Sequence, residues 1–230
     1  MPKRSAHDMT DWSVRKWDSI IVTKTERKRQ AMPPEERRRI ILDAALTVFA
    51  EKGFANARIE DIARLAGIGK GTVYLYFSDK QALFMGLISA MMTPMLDRAG
   101  DFVAQSHLSA RETLSVVYGL IEAEILSTRK RDLLRLVVTE MGNFPELAAY
   151  YHQNLVGPGL SLLKTLLERA GRTGELRSAA VLDAPQIVFS PIVMSVVWDM
   201  LFQPYGTFNA RAAFAFMLDS LFSPAEGAEQ

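Results

Sequence analysis

From Pro34 onward the apolar positions recur with a helical period. Ile40, Ile41, Ala44, Ala45, Val48 and Phe49 come in pairs four apart, the spacing that lays one stripe along a helix. Pro34 opens that helix with Glu35 and Glu36 in its first turn, where the helix dipole favours acids. Lys52 and Gly53 read as a basic last turn and a left-handed cap. A short second helix follows, with Ile59, Ile62, Ala63 and Ala66 inward and Gly67 closing it. A third starts near Lys70 and runs to about Phe77, and Ser78-Asp-Lys-Gln81 has the form of a capping box for the next helix.

The same reading continues to the end of the chain. Ser109-Ala-Arg-Glu112 is a second capping box, opening a helix to about Leu126, and Lys130 to Met141 forms another amphipathic stretch. Pro145 opens a longer helix through Arg169, interrupted at Gly157-Pro158-Gly159 and stopped by Gly171 and Gly174. Asp183-Ala-Pro-Gln186 combines an N-cap, a first-turn proline and a reciprocal glutamine. It predicts a helix to about Phe202 with a kink at Pro191, and a last helix spans roughly Asn209 to Phe222. No segment alternates with period two, so the expected fold is all-α.

Composition refines this picture in one respect. The chain has 230 residues, 49% hydrophobic and 23% charged, which suits a soluble globular protein and excludes wholesale disorder. Its net charge of +1 conceals an asymmetry: residues 1–90 carry 16 basic and 11 acidic side chains, residues 91–230 carry 11 and 15. A basic first part on an acidic remainder points to two parts with different partners, the first suited to a polyanion. Residues 1–33 read as a basic extension, 34–80 as a three-helix unit and 81–230 as a larger helical body.

Several chemistries are excluded. With no cysteine there is no disulfide, thiolate metal site or cysteine nucleophile. His7, His107 and His152 show no metal-ligand spacing, and no nucleophile elbow or phosphate-cradling loop occurs. The expected protein is not an enzyme and has no catalytic residue, metal or cofactor. The N-terminus lacks the apolar core of a secretory signal, and the apolar run Ile187 to Trp198 is too short to span a bilayer, so a cytoplasmic protein without a membrane partner is expected.

What the third short helix shows to the outside decides the chemistry. At about 100° per residue, Val73 and Phe77 share one direction with Tyr76 beside them, while Gly71 and Leu75 point oppositely, flanked by Thr72 and Tyr74. The outer face is small, hydroxylated and uncharged apart from Lys70 at its start. Such a face suits a DNA major groove: Gly71 admits close backbone approach, hydroxyls bond phosphates or base edges, and Leu75 can meet a thymine methyl. Lys80, in the first turn of the next helix, adds charge beside amides that favour phosphate. Helix-turn-helix geometry also occurs in proteins that bind no DNA, so this face alone leaves the matter open.

The segments Ile40-Ile-Leu-Asp-Ala-Ala-Leu-Thr-Val-Phe49, Glu51-Lys-Gly-Phe54, Ile59-Glu-Asp-Ile-Ala-Arg-Leu-Ala-Gly-Ile68 and Gly69-Lys-Gly-Thr-Val-Tyr-Leu-Tyr-Phe-Ser-Asp-Lys80 resemble the DNA-binding domain of the TetR family of bacterial transcriptional regulators. The resemblance implies a homodimer, usually a repressor, whose divergent C-terminal domain binds a small ligand and forms the dimer interface. It places Lys70, Gly71, Thr72, Tyr74 and Tyr76 where the family's recognition helix touches DNA, and Lys80 on the family's phosphate-contacting lysine. One departure stands out. The family often has threonine or serine just before the second helix; here Ala57 and Arg58 stand there. Arg58 can supply the phosphate contact with a charge, but it cannot cap as a hydroxyl does. Arg37, Arg38 and Arg39 can reach the DNA backbone or form a solvated face, and Lys28 and Arg29 can serve as a minor-groove arm.

In the C-terminal body, Tyr118, Phe144 and Trp198 are the preferred ligand-binding candidates, although an ordinary core role is the commoner fate of such residues. The helices near 183–203 and 209–222 are apolar on most sides and must be buried in a core or between subunits. With the resemblance they form a four-helix dimer interface. The function expected is a sequence-specific regulator of double-stranded DNA, released from a palindromic operator by a small, largely apolar inducer. The alternatives are a dimeric DNA-binding protein without effector, and a ligand-sequestering protein that has lost DNA binding.

Overall fold

The computed structural model describes residues 32–223. The chain falls into two compact units, Met1–Arg37 and Arg38–Gln230. Of the first, residues 32–37 are described, where the Arg37 amide donates to the Pro33 carbonyl at 3.0 Å as α1 begins. Lys28 and Arg29 of the basic extension lie outside the described residues. Apart from the first turn of α1, all that follows concerns the second unit.

The structure is all-α; among the described residues the only β feature is an isolated bridge between Leu176 and Phe222. Helix α1 is Pro34–Asn56, α2 Ile59–Leu65, α3 Lys70–Tyr76, α4 Lys80–Gln105 and α5 Ala110–Ile121. Then come α6 Lys130–Glu140, α7 Pro145–Tyr151, α8 Gly157–Thr173, α9 Ser190–Phe202 and α10 Ala210–Leu221. Gly53 breaks α1 with φ 74° and ψ 162°, so its last residues turn away from the axis. The predicted stripe is the buried one: Ile41, Ala45 and Phe49 are fully enclosed. Phe49, Phe54 and Phe84 cluster with centroids 5.3–5.5 Å apart, the Phe84 ring meeting the other two in T-shaped contacts, and Phe144 packs on Phe54 at 4.7 Å. Buried side chains run without a break from α1 to Phe222.

Several local expectations need correction. Ser78 is not the cap of α4. The Asp79 carboxylate accepts from the Ala82 amide at 2.7 Å, and Ser78 only donates to Asp79. A carboxylate is a stronger acceptor for orphan amides at the positive end of a helix, so the start moves by one residue. Ser109 and Glu112 do form the reciprocal box at α5.

The interruption of the 145–169 helix is a wide turn over His152–Val156, closed by the Gly157 amide on the His152 carbonyl. Gly157 and Pro158 open α8, because Pro158 has no N–H to continue the regular ladder. Gly171 lies inside α8, and the stop is Gly174 alone, at φ 78°. Asp183 caps nothing by its side chain. Residues Pro185–Phe189 form a tight turn and α9 starts afresh at Ser190, so Pro191 begins a helix rather than kinking one.

Candidate nucleic-acid interface

α3 is positioned from beneath by its own sequence. Val73 is fully buried and Phe77 nearly so, as the helical geometry requires, while Tyr76 packs partly against the core. The turn between α2 and α3 closes on Gly67 at φ 67°, with the Ile68 amide donating to the Ala63 carbonyl at 3.0 Å. Phe77 lies so close to α4 that a Cβ on Gly86 would come 2.6 Å from its ring. Arg38 covers the same ring with its guanidinium 5.4 Å from the centroid. Arg39 pairs with Asp43 at 3.0 Å.

The outward face is open. Leu75 is 83% exposed, and Tyr74 is exposed beside it. A Cβ placed on Gly71 meets no atom within 4 Å, so no packing requirement of the fold calls for glycine there. Thr72 is half-buried at the rim. Lys70 is half exposed, bonded to Glu60 across the turn, with its ammonium 5.6 Å from the Tyr74 ring centroid. The Lys70 hydrogen bond holds the Glu60 carboxyl below the usual range, and Glu60 raises Lys70 in return.

Arg58 is the extended residue that precedes α2. It forms no side-chain cap, and no ion pair involves it among the described residues. The nearby Asp61 is already taken by Lys52 at 2.7 Å and Arg64 at 2.5 Å, and the Lys52 bond is the main cause of its lowered pKa. The face therefore presents Arg58 and Lys70 around a small, mixed surface made by Gly71, Thr72, Tyr74 and Leu75.

Lys80 lies elsewhere. Its ammonium donates to the carbonyls of Phe54 at 2.6 Å and Ala55 at 2.9 Å and sits 4.6 Å from the Phe54 ring centroid. The role of Glu60 and the placement of Lys80 were invisible to a periodicity argument, because each joins residues ten or more positions apart.

The three ligand-binding candidates occupy separate places. Tyr118 is 4% exposed, stacks on Phe214 at 3.9 Å, and its hydroxyl has no hydrogen-bond partner among the described residues. Phe144 packs on Phe54, and Trp198 donates from Nε1 to the Gly206 carbonyl at 3.1 Å beside Phe202. A groove of about 590 Å³ opens between α4 and α8, lined by Leu96, Asp97, Gly100, Asp101, Ser161 and Leu162, and none of the three candidates lines it.

Residues 41–86 match the family model of bacterial regulatory proteins of the tetR family, and residues 104–204 match the tetracyclin repressor-like C-terminal domain. The HTH-type transcriptional regulator SrpR of Pseudomonas putida is 35% identical over 178 residues, covering 76% of this chain and 79% of SrpR. The fatty acid metabolism regulator protein of Bacillus subtilis is 28% identical over 72% of this chain and 84% of its own. The crystal structure of FadR from Bacillus subtilis, in complex with stearoyl-CoA, superposes with a TM-score of 0.67 at 21% identity, over 79% of this chain and 98% of FadR.

The chain belongs to the TetR family: a helix-turn-helix, DNA-binding regulator of transcription with a helical ligand-binding body. Its relatives are named as transcriptional regulators, and the family is not enzymatic.

Proposed function

We propose that the protein is a dimeric repressor that reads a palindromic operator with the outer face of α3 and leaves it when a small, largely apolar ligand binds the body. The observation that carries the DNA reading is the exposed face itself. Leu75 and Tyr74 project from a helix whose opposite side is fixed in the core, and Gly71 leaves its backbone bare. Lys70, Gly71, Thr72, Tyr74 and Leu75 enter the major groove, Tyr76 reaches its rim from the half-buried side of α3, and Arg58 meets the phosphates at its edge. To reach DNA, Lys70 exchanges Glu60 for phosphate or a base edge, which Lys70's exposure makes inexpensive.

Dimerisation is supported by the apolar faces of α9 and α10. Val193, Met194, Leu201 and Phe202 on α9 are exposed, and Phe216 on α10 is 74% exposed. Large apolar side chains left exposed on two neighbouring helices are what a subunit interface would cover. Two such helices from each chain give a four-helix contact, and the symmetry sets the two copies of α3 about one turn of DNA apart, roughly 34–36 Å. The reading head is 34–80 and the regulatory body 81–230, and the site of action is the cytoplasm, where the DNA is.

For the ligand, Tyr118 is the supported candidate, since a buried hydroxyl without a partner is a vacant donor. Fatty acid regulation and stearoyl-CoA binding among the similar proteins support a long apolar ligand. Tyr74→Ala tests the reading face: the variant is expected to lose at least about tenfold in operator affinity while remaining dimeric by sedimentation. Operator binding retained at physiological salt would overturn the contact assignment.

A further inference from the structure

Ion pairs close the seam between α5 and α10 at both ends, and the two ends are not alike. At one end Arg111 pairs with Asp219. At the other, Arg211 of α10 donates from Nε at 3.0 Å and from Nη2 to the carboxylate of Glu122, the residue that follows α5. The Arg211 side chain is 76% exposed, so the pair itself stabilises the fold little.

What lies under the second pair sets it apart. Tyr118 is one turn before Glu122 and stacks on Phe214, one turn beyond Arg211. Its hydroxyl is buried without a partner among the described residues, within the field of both charges. A buried donor that nothing accepts costs free energy, and an acceptor from outside would relieve it. Gly119 follows in α5, where glycine weakens a helix, yet a Cβ on it would meet no atom within 4 Å. Room is therefore left beside Tyr118. Past Ile121 the chain widens into a π-helical turn over Glu122–Leu126, a form frequent at functional sites.

The guanidinium also has donors to spare. Of its five N–H groups, Glu122 engages Nε and one hydrogen of Nη2, and the rest have no partner among the described residues. Its planar fork matches a carboxylate or a phosphate. Phe216, in the proposed dimer face, is about 140° round α10 from Arg211, so a second copy seated there leaves this end of the seam open.

We infer that the seam at Arg211 holds the charged head of an apolar anion, the guanidinium pairing with a carboxylate or phosphate and the Tyr118 hydroxyl donating to a nearby oxygen of the same ligand. The inference rests on Tyr118 being a ligand group, as proposed above, and adds the chemistry of the ligand's head. A neutral apolar molecule gains nothing from Arg211, whereas an anion gains charge-assisted hydrogen bonds. Arg111, at the other end of the seam, has no orphan hydroxyl beside it.

The test titrates dodecanoate, dodecanoyl-CoA and methyl dodecanoate, each kept monomeric, into full-length wild type, Arg211→Gln and Arg111→Gln. Each variant removes one exposed ion pair from the same two helices, so melting temperatures near that of wild type are expected for both. Wild type is expected to bind at least one of the two anions, and Arg211→Gln to bind it about tenfold more weakly. Methyl dodecanoate is expected to bind wild type and Arg211→Gln within about twofold, and Arg111→Gln is expected to match wild type on all three probes. The anion that wild type binds more tightly tells a carboxylate head from a phosphate one. Equal losses of ester and anion on Arg211→Gln, or the same losses on Arg111→Gln, would overturn the inference in favour of a structural pair. Wild type that binds the ester alone, or anions bound equally by wild type and Arg211→Gln, would overturn it outright. Wild type that binds none of the three would overturn the ligand reading of Tyr118 itself.

Discussion

Gly71 is a residue whose presence the fold does not explain. It sits inside α3, where glycine is destabilising by roughly 0.5–1 kcal/mol relative to alanine, and a methyl group would meet nothing. Gly71→Ala should accordingly raise stability by about that amount in a denaturant melt, and should weaken operator binding if the backbone approaches DNA there. Affinity left intact would remove Gly71 from the interface. Asp79 makes the opposite case, a residue whose role is wholly local. Asp79→Ala should cost about 1 kcal/mol as the cap of α4 is lost. The Ala82 amide is the main cause of the lowered Asp79 pKa. The folded pKa lies below the unfolded value near about 4, so the cap's contribution is complete above that pH and disappears as pH falls through the folded pKa. Melts of Asp79→Ala and wild type across pH 2–7 should converge at the acid end; a gap that persists there would show that the carboxylate is not what caps.

At the scale of elements, α5 and α10 run side by side through three contacts in opposed order. Arg111 pairs with Asp219, Tyr118 stacks on Phe214, and Glu122 pairs with Arg211. The exposed ion pairs at the two ends contribute little. The stacked pair in the middle is the packed one, and it leaves the Tyr118 hydroxyl unsatisfied. Burial, and then Glu122, raise the Tyr118 pKa, so the group stays a neutral donor. Tyr118→Phe should melt at the wild-type temperature or slightly above, because an orphan hydroxyl is removed. The proposed ligand role predicts that long-chain acyl thioesters raise the melting temperature of the wild type more than that of Tyr118→Phe. A variant that melts lower would show that the hydroxyl has a structural partner.

Elements also show what the sequence made legible. The starts of α1, α5 and α10, the buried stripe of α1 and the outward side of α3 follow from spacing and caps within one or two turns. Where two local signals lie close together, spacing does not choose between them: Ser78 and Asp79 as cap, Gly171 and Gly174 as stop, Pro191 as kink or as start. What pairs across the chain left no local signal. Glu60 with Lys70, Lys80 with the Phe54 carbonyl, and Phe144 on Phe54 depend on how helices pack, which periodicity does not encode.

For the whole molecule, the stretch Pro185–Tyr205 is the informative one. It is 21 residues long and its most apolar 18-residue window has a mean hydropathy of 1.5, enough by length and composition alone to cross a membrane. It extends the apolar run Ile187 to Trp198, which alone is too short to span a bilayer, at both ends. Here one side of it packs on the core through Val188, Ile192 and Val196, and Arg131 of α6 binds both Asp199 and the Ser195 carbonyl. The other side is apolar and exposed, as a surface awaiting a second copy of this chain would be. A symmetric partner would bring two reading heads together, and symmetry in the protein must then appear as symmetry in the DNA. The most direct test is selection of bound duplexes from a random pool, at two salt concentrations, with wild type and with Phe216→Asp, which places a charge in the proposed interface. Wild type is expected to select a palindromic consensus at both salts, and Phe216→Asp at most a weakly bound half-site. No enrichment by wild type, or the same palindrome selected by a monomeric variant, would contradict it.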